Sequence, residues 1–315
     1  MFRIITLGII LAAVVGIVFA AGIILAAPNA EPLLLLNEAE GAALLPEQPQ
    51  SERAEQVVKA LVKAYPSRVI RAEFRNGDWA VLVRDTWFYY AEGRLLPEEL
   101  RNRVSEYSPI AFYNYPRELP LWTEPSPEQA NLFRDRSNSR AASSRRRSHY
   151  FFDALYRART HDEAYERVKT LRFLGNQIMV HYSLLEELSL VEESILAAAR
   201  TDAQVRVWIQ NIGTMSGWTW RNVADTQSRS FHSYGAAIDI LPRSRGGREI
   251  YWLWVESNWW NIPYEGRYHP PDAVIKAFES YGFVWGGKWL FFDTMHFEYR
   301  PEVFILNDIE MSTLR

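Results

Sequence analysis

Two short strings place metal-ligand residue types where they could act together. One runs from Ser230 through His232 and Gly235 to Asp239. The other runs from Asp293 through His296 to Glu298. The chain has six histidines and no cysteine, so a transition-metal site must be built from imidazole and carboxylate. The missing thiol also excludes cysteine nucleophiles, disulfide scaffolds and iron–sulfur clusters. His149, His161 and His181 stand apart from obvious ligand partners and read as surface or core residues, and His269 reads as a turn residue before two prolines. His232 and Asp239 are seven positions apart, which is roughly 23 Å on an ideal strand and roughly 10 Å on an ideal helix. Neither distance lets them share an ion, so the chain must bend between them. Gly235 permits the bend, and residues 236–241 can then run as a strand whose small alanines leave room beside a metal.

Spacing alone carries little weight, but the full strings are more specific. The first fits Ser-x-His-x-x-Gly-x-Ala-x-Asp. The second half, Tyr281-Gly-Phe-Val-Trp285-Gly286-Gly287-Lys288-Trp289 followed by Asp293-Thr-Met-His296-Phe-Glu298, agrees with it. Together they resemble the VanY-type family of zinc D-alanyl-D-alanine carboxypeptidases and L-alanyl-D-glutamate endopeptidases, over roughly residues 195–300. The resemblance implies a Zn2+ ion held by His232, Asp239 and His296, with Asp293 as general base. It also implies an arginine upstream of the first histidine to stabilise the oxyanion. Arg221 is the choice here, although Thr219-Trp220 separate it from the Gly-aromatic pair that normally precedes it, and Arg229 is the reserve. Glu298 reads either as a residue that orients a ligand from behind or as a surface strand residue.

The elements that position these residues are expected to form an α+β fold, a zinc peptidase domain (149–315) with a mainly antiparallel sheet flanked by helices. A small α+β module (51–105) precedes it: a helix from Ser51 to about Ala64, strands at 69–70 and 79–83 joined by an Asn76-Gly77 hairpin, and a third strand at 87–90. Residues 106–148 read as a Pro/aromatic and Arg/Ser-rich linker, its arginines between 134 and 147 on a solvated loop or a basic strip for anionic polymer. Residues 162–200 read as helical and 205–209 as a strand. The tryptophans at 252, 254, 259 and 260 suit either a core or the wall of a substrate cleft.

At the N-terminus, residues 4–27 carry no charge. As a helix they would span roughly 36 Å, enough for a bilayer core. Arg3 before the run favours a cytoplasmic N-terminus. The expectation is a membrane anchor or signal peptide (1–27) and a tether (28–50), with the rest in the extracytoplasmic envelope, secreted if the leader is cleaved. With 35 Lys+Arg against 38 Asp+Glu, the net charge of −3 offers no cationic field for nucleic acid. The expected partners are a peptidoglycan stem peptide and the membrane; no oligomeric state is specified. The competing reading is a non-catalytic wall-binding or scaffold protein on a peptidase fold. A zinc amidase cutting the glycan–peptide link is a further one.

Overall fold

The structure is a computed structural model that describes residues 50–314 except 111, 113, 120, 143–145 and 257. Residues 4–27, expected to enter a membrane, lie outside the described residues. Among the described residues no helix is long and apolar enough to cross one.

The fold is mixed α+β, with antiparallel main sheets and helices packed against them. It opens with helix α1 (Gln50–Ala64), whose Ala54, Val57, Val58 and Leu61 are buried at helical spacing. Ser51 sits inside its first turn. Four strands follow as an antiparallel meander: β1 (Val69–Arg75), β2 (Asp78–Val83), β3 (Thr86–Ala91) and β4 (Arg94–Pro97). Asn76 and Gly77 take φ of 51° and 87°, the paired left-handed conformations of a tight hairpin. The fourth strand corrects the three-strand expectation. Glu92-Gly93, just after the expected third strand, makes a second turn of the same kind, with φ of 47° and 82°.

The linker is more ordered than its composition implies. A short strand β5 (Tyr107–Ser108) pairs in parallel with β6 (Arg146–Arg147), and α2 (Pro127–Ala142) lies between them. Ser126 and Gln129 cap α2 reciprocally: Gln129 Oε1 accepts from the Ser126 amide at 2.8 Å, and Ser126 Oγ accepts from the Gln129 amide at 3.3 Å. Arg134, Arg136 and Arg140 therefore lie on a helix, not on a loop. Phe133 of α2 is buried against Trp259.

Two more expectations fail for local reasons. After α3 (Tyr150–Tyr156) and α4 (His161–Arg167), residues 168–181 form a hairpin of β7 (Val168–Phe173) and β8 (Asn176–His181), not a helix. Leu174-Gly175 makes its turn, and Ile178 and Val180 alternate inward. Helix α5 (Leu185–Thr201) follows. Then 203–210 form helix α6 (Ala203–Gln210) where a strand was expected. Asp202 caps α6 by accepting from the Gln204 amide at 2.7 Å, and Val205 and Trp208 bury one turn apart while Val207 is exposed.

The second four-stranded sheet has the order β11-β12-β10-β9, all antiparallel, from β9 (Ile212–Ser216), β10 (Ala237–Pro242), β11 (Phe283–Trp285) and β12 (His296–Tyr299). Helix α7 (Asp272–Ser280) packs beside it and α8 (Pro301–Leu306) follows β12. One hydrophobic core runs from Val57 and Leu61 of α1 through Phe151 and Val191 to Phe297 of β12. The N-terminal module and the sheet that carries Asp239 and His296 thus share an interior.

Candidate metal centre

Strand register places two of the expected ligands. Asp239 of β10 pairs directly with His296 of β12, and side chains opposite each other in an antiparallel pair sit about 5 Å apart at Cβ. Glu298, two residues along, is on the same face as His296. It stands opposite Ala237, whose methyl leaves it space.

His232 arrives from a different element. It lies in a 3-10 turn, Phe231–Tyr234, started by Ser230, whose hydroxyl accepts from the His232 amide at 3.3 Å. The turn ends at Gly235 with φ of 67°. A Cβ there would also lie 2.6 Å from the His181 amide nitrogen, so glycine is required both for conformation and for space. This is the bend the spacing demanded.

The three residues are buried and each offers a ligand atom, all within 4.8 Å of one another. His232 Nε2 lies 3.1 Å from Asp239 Oδ1, His296 Nδ1 lies 2.9 Å from the same oxygen, and the two imidazole nitrogens are 3.3 Å apart. Behind them, His232 Nδ1 donates to the Gly217 carbonyl at 2.6 Å, and His296 Nε2 faces Glu298 Oε2 at 3.2 Å. Because a carbonyl can only accept, the Gly217 bond fixes the His232 proton on Nδ1 and leaves a lone pair on Nε2. That lone pair points at a carboxylate oxygen. Two acceptors this close require a cation or proton between them, so the donor set fits a bound metal ion.

The electrostatics agree. Burial would raise the Asp239 pKa, but the His232 and His296 imidazoles outweigh it and hold the carboxyl well below its usual range. Burial would lower His296, yet Asp239 and Glu298 on its two sides raise it well above an ordinary imidazole. Asp293 behaves in the opposite way. Burial pushes its carboxyl up to about 7, His296 pulls it down, and the charge of Asp239 adds to the rise. Its Oδ1 is buried without a hydrogen-bond partner among the described residues. Its backbone is clamped: the Asp293 amide donates to Gly286 O at 3.0 Å, and the His296 amide donates to Asp293 O at 3.2 Å. A Cβ on Gly286 would sit 2.5 Å from that Asp293 carbonyl oxygen, which explains the glycine.

Asp239, His296, Asp293 and Glu298 form part of the wall of a cavity of about 350 Å³ that also reaches Arg147, Arg221, Tyr251, Trp254 and Trp289, and His232 lies buried behind that wall. Arg221 lies with Nη2 3.7 Å from Asp239 Oδ2. Arg229, the reserve, is committed elsewhere: its guanidinium pairs with Asp153, donates to Ala158 O at 3.1 Å and stacks over Trp220. The tryptophans divide. Trp252 and Trp254 line the cavity, whereas Trp259 and Trp260 do not and pack with Phe133, Phe291 and Trp252 itself in one core cluster. Trp289 covers His296, with ring centres 5.4 Å apart. Sequence reasoning missed Gly217, which acts through a backbone carbonyl, and Arg147, whose run of arginines resembled a solvated strip. Arg147 is buried and lines the cavity.

The other histidines stay out of the cluster. His149 pairs with Asp153 and stacks on Tyr150, His161 lies against Asp162 and Trp218, and His269 faces the Trp285 ring. His181 is buried between Tyr156 O and Ser183.

Comparison with known proteins matches two segments of the chain. Residues 224–299 match the D-alanyl-D-alanine carboxypeptidase family, a segment that contains all three clustered residues, Asp293 and Glu298. The match supports a peptidase of that kind. Arg221 lies just outside it. Residues 57–112 match a domain family of unknown function. No solved structure matches the chain.

Proposed function

We propose that this chain is a zinc-dependent peptidase that hydrolyses peptide bonds in peptidoglycan stem peptides, held in the extracytoplasmic envelope by residues 4–27. The observation that carries the reading is the buried His232–Asp239–His296 convergence, of which Asp239 and His296 line one cavity together with Asp293, whose Oδ1 has no hydrogen-bond partner among the described residues. The family match favours the terminal D-Ala–D-Ala bond over the L-Ala–D-Glu bond. Arg147, which lines the cavity, supplies a cation suited to a free C-terminal carboxylate. The uncharged N-terminal run after Arg3 supports export and anchoring.

His232, Asp239 and His296 would hold the zinc. When bound, zinc supplies Lewis acidity, polarising a carbonyl and making water nucleophilic near neutral pH. Asp293 accepts the proton of the attacking water and returns it to the leaving amine. Arg221 donates hydrogen bonds to the carbonyl oxygen as negative charge develops on it. Glu298 and the Gly217 carbonyl keep the imidazoles in the orientation the site needs. Tyr251, Trp254 and Trp289 offer aromatic faces to the peptide and keep bulk water away.

The test is digestion of purified peptidoglycan by the full-length, zinc-loaded chain in mild detergent, with fragments identified by mass spectrometry and Asp293→Ala run alongside. Loss of one terminal alanine is the expected product. New N-terminal D-Glu peptides would assign the endopeptidase reaction instead, and free lactyl groups an amidase. No product from folded, metal-bound protein would leave the wall-binding reading in place.

A further inference from the structure

The N-terminal module bears no catalytic constellation, yet its first helix leads into a buried polar chain that reaches the metal cluster. Tyr65, immediately after α1, donates its hydroxyl to Glu302 Oε2 at 2.7 Å. Glu302 Oε1 accepts from Arg300 Nε, and Arg300 Nη1 lies 3.3 Å from Glu298 Oε1. The other oxygen of Glu298 holds His296 Nε2. All five residues are buried, and Arg300 and Glu302 are fully enclosed. Tyr65 and Glu302 are 237 positions apart in sequence.

The connection after the module makes a second attachment. Tyr115 accepts the Trp285 amide at 2.9 Å and donates to Glu279, which also pairs with Lys288 at 2.7 Å. Trp285 and Lys288 bracket the Gly286-Gly287 turn, which holds the Asp293 backbone and leads into Trp289.

We propose that residues 57–115, most of which match a domain of unassigned role, are a built-in part of the peptidase site: Tyr65 positions His296 through Glu302, Arg300 and Glu298, and Tyr115 positions the Trp285–Trp289 turn. The physical reason is the cost of burying charge. Glu298, Arg300 and Glu302 are stable in the interior only as a fully bonded set. The orientation of Glu298, and so of the imidazole it holds, depends on the far end of the chain being tied down. Tyr65 and Tyr115 are positioning residues and touch no reacting atom. The inference rests on the metal-site reading above.

The test uses the full-length chain loaded with Co2+, whose visible absorption reports ligand geometry, and compares Tyr65→Phe, Tyr115→Phe and Tyr89→Phe. Tyr89 is a control: it is a buried residue of the same module, and its hydroxyl accepts from Asn76 Nδ2 at 3.2 Å and is not part of either chain. Tyr65→Phe should fold, by circular dichroism, but change the cobalt spectrum and weaken cobalt affinity about three- to tenfold, less than the loss of a direct outer partner of a ligand. Tyr115→Phe should keep the spectrum and raise the KM for a stem peptide about threefold at nearly constant kcat. Tyr89→Phe should match wild type in all three. If Tyr65→Phe and Tyr115→Phe behave like Tyr89→Phe, the module is packing alone and the inference is overturned. A wild-type chain that takes up no cobalt would remove the metal-site reading first, and the inference with it.

Discussion

His181 at the end of β8 and His296 at the start of β12 are both buried histidines on strands, yet they do opposite things. His181 has neutral partners on each side: Nε2 donates to Tyr156 O at 3.0 Å and Nδ1 meets the Ser183 hydroxyl at 2.8 Å. Burial pushes its pKa down to about 4. It is a satisfied core residue and is closed to a metal. His296 lies between two carboxylates and faces a second imidazole. Its surroundings favour positive charge, whether proton or metal ion. Burial of a histidine therefore says little about its role; the charge of its partners and the convergence of other donors decide it.

The strongest attempt to break the assignment is Asp293→Ala. Removing this proposed base should lower kcat about a thousandfold, or about 4 kcal/mol in barrier, while the protein still binds zinc by equilibrium dialysis. Unchanged kcat would move the base elsewhere.

His181 predicts a pH effect on stability alone. Between pH 6.5 and 4 the unfolded chain takes up a proton that folded His181 refuses. Stability therefore falls as the pH drops through that window, by on the order of 3 kcal/mol from this group. Urea melts at several pH values should show His181→Gln with a shallower slope than wild type; equal slopes would mean the imidazole is not held neutral.

Metal should separate the two regions again. Zinc at a hundred times its dissociation constant should add about 2.7 kcal/mol to unfolding stability. The increment should persist in His181→Gln and vanish in Asp239→Asn, read as the shift in thermal midpoint. The smallest effect belongs to Arg221, which is partly exposed and closest to Asp239 at 3.7 Å. Arg221→Ala should reduce kcat/KM about tenfold, mostly through kcat, as expected for a donor that acts as charge develops. A pure rise in KM would recast it as a carboxylate anchor.

Much of the site was legible because its signals are local. His232, Gly235 and Asp239 lie within eight residues, and Asp293, His296 and Glu298 within six. The α+β class and the first hairpin were legible for the same reason, since Asn76-Gly77 carries its own turn preference. The misreadings came where local signals were ambiguous. Glu92-Gly93 and Leu174-Gly175 make similar left-handed turns without a strong first residue, so a strand and a hairpin were missed. Val205, Val207 and Ile209 alternate like a strand, but the Asp202 cap and the burial of Val205 with Trp208 set a helix. The capping pair Ser126 and Gln129 was present in the sequence and was overshadowed by the arginines that follow it.

The sequence by itself determined which side chains could ligate a metal, the need for a bend at Gly235, and the absence of any thiol alternative. Only the tertiary structure decided which arginine faces the cluster, which tryptophans line the cavity, and that Tyr65 stands behind His296. Ligand identity and turn conformation are set by bonds within a few residues. Strand register, burial of charge and the meeting of residues 237 positions apart are settled only when one shared core closes around them.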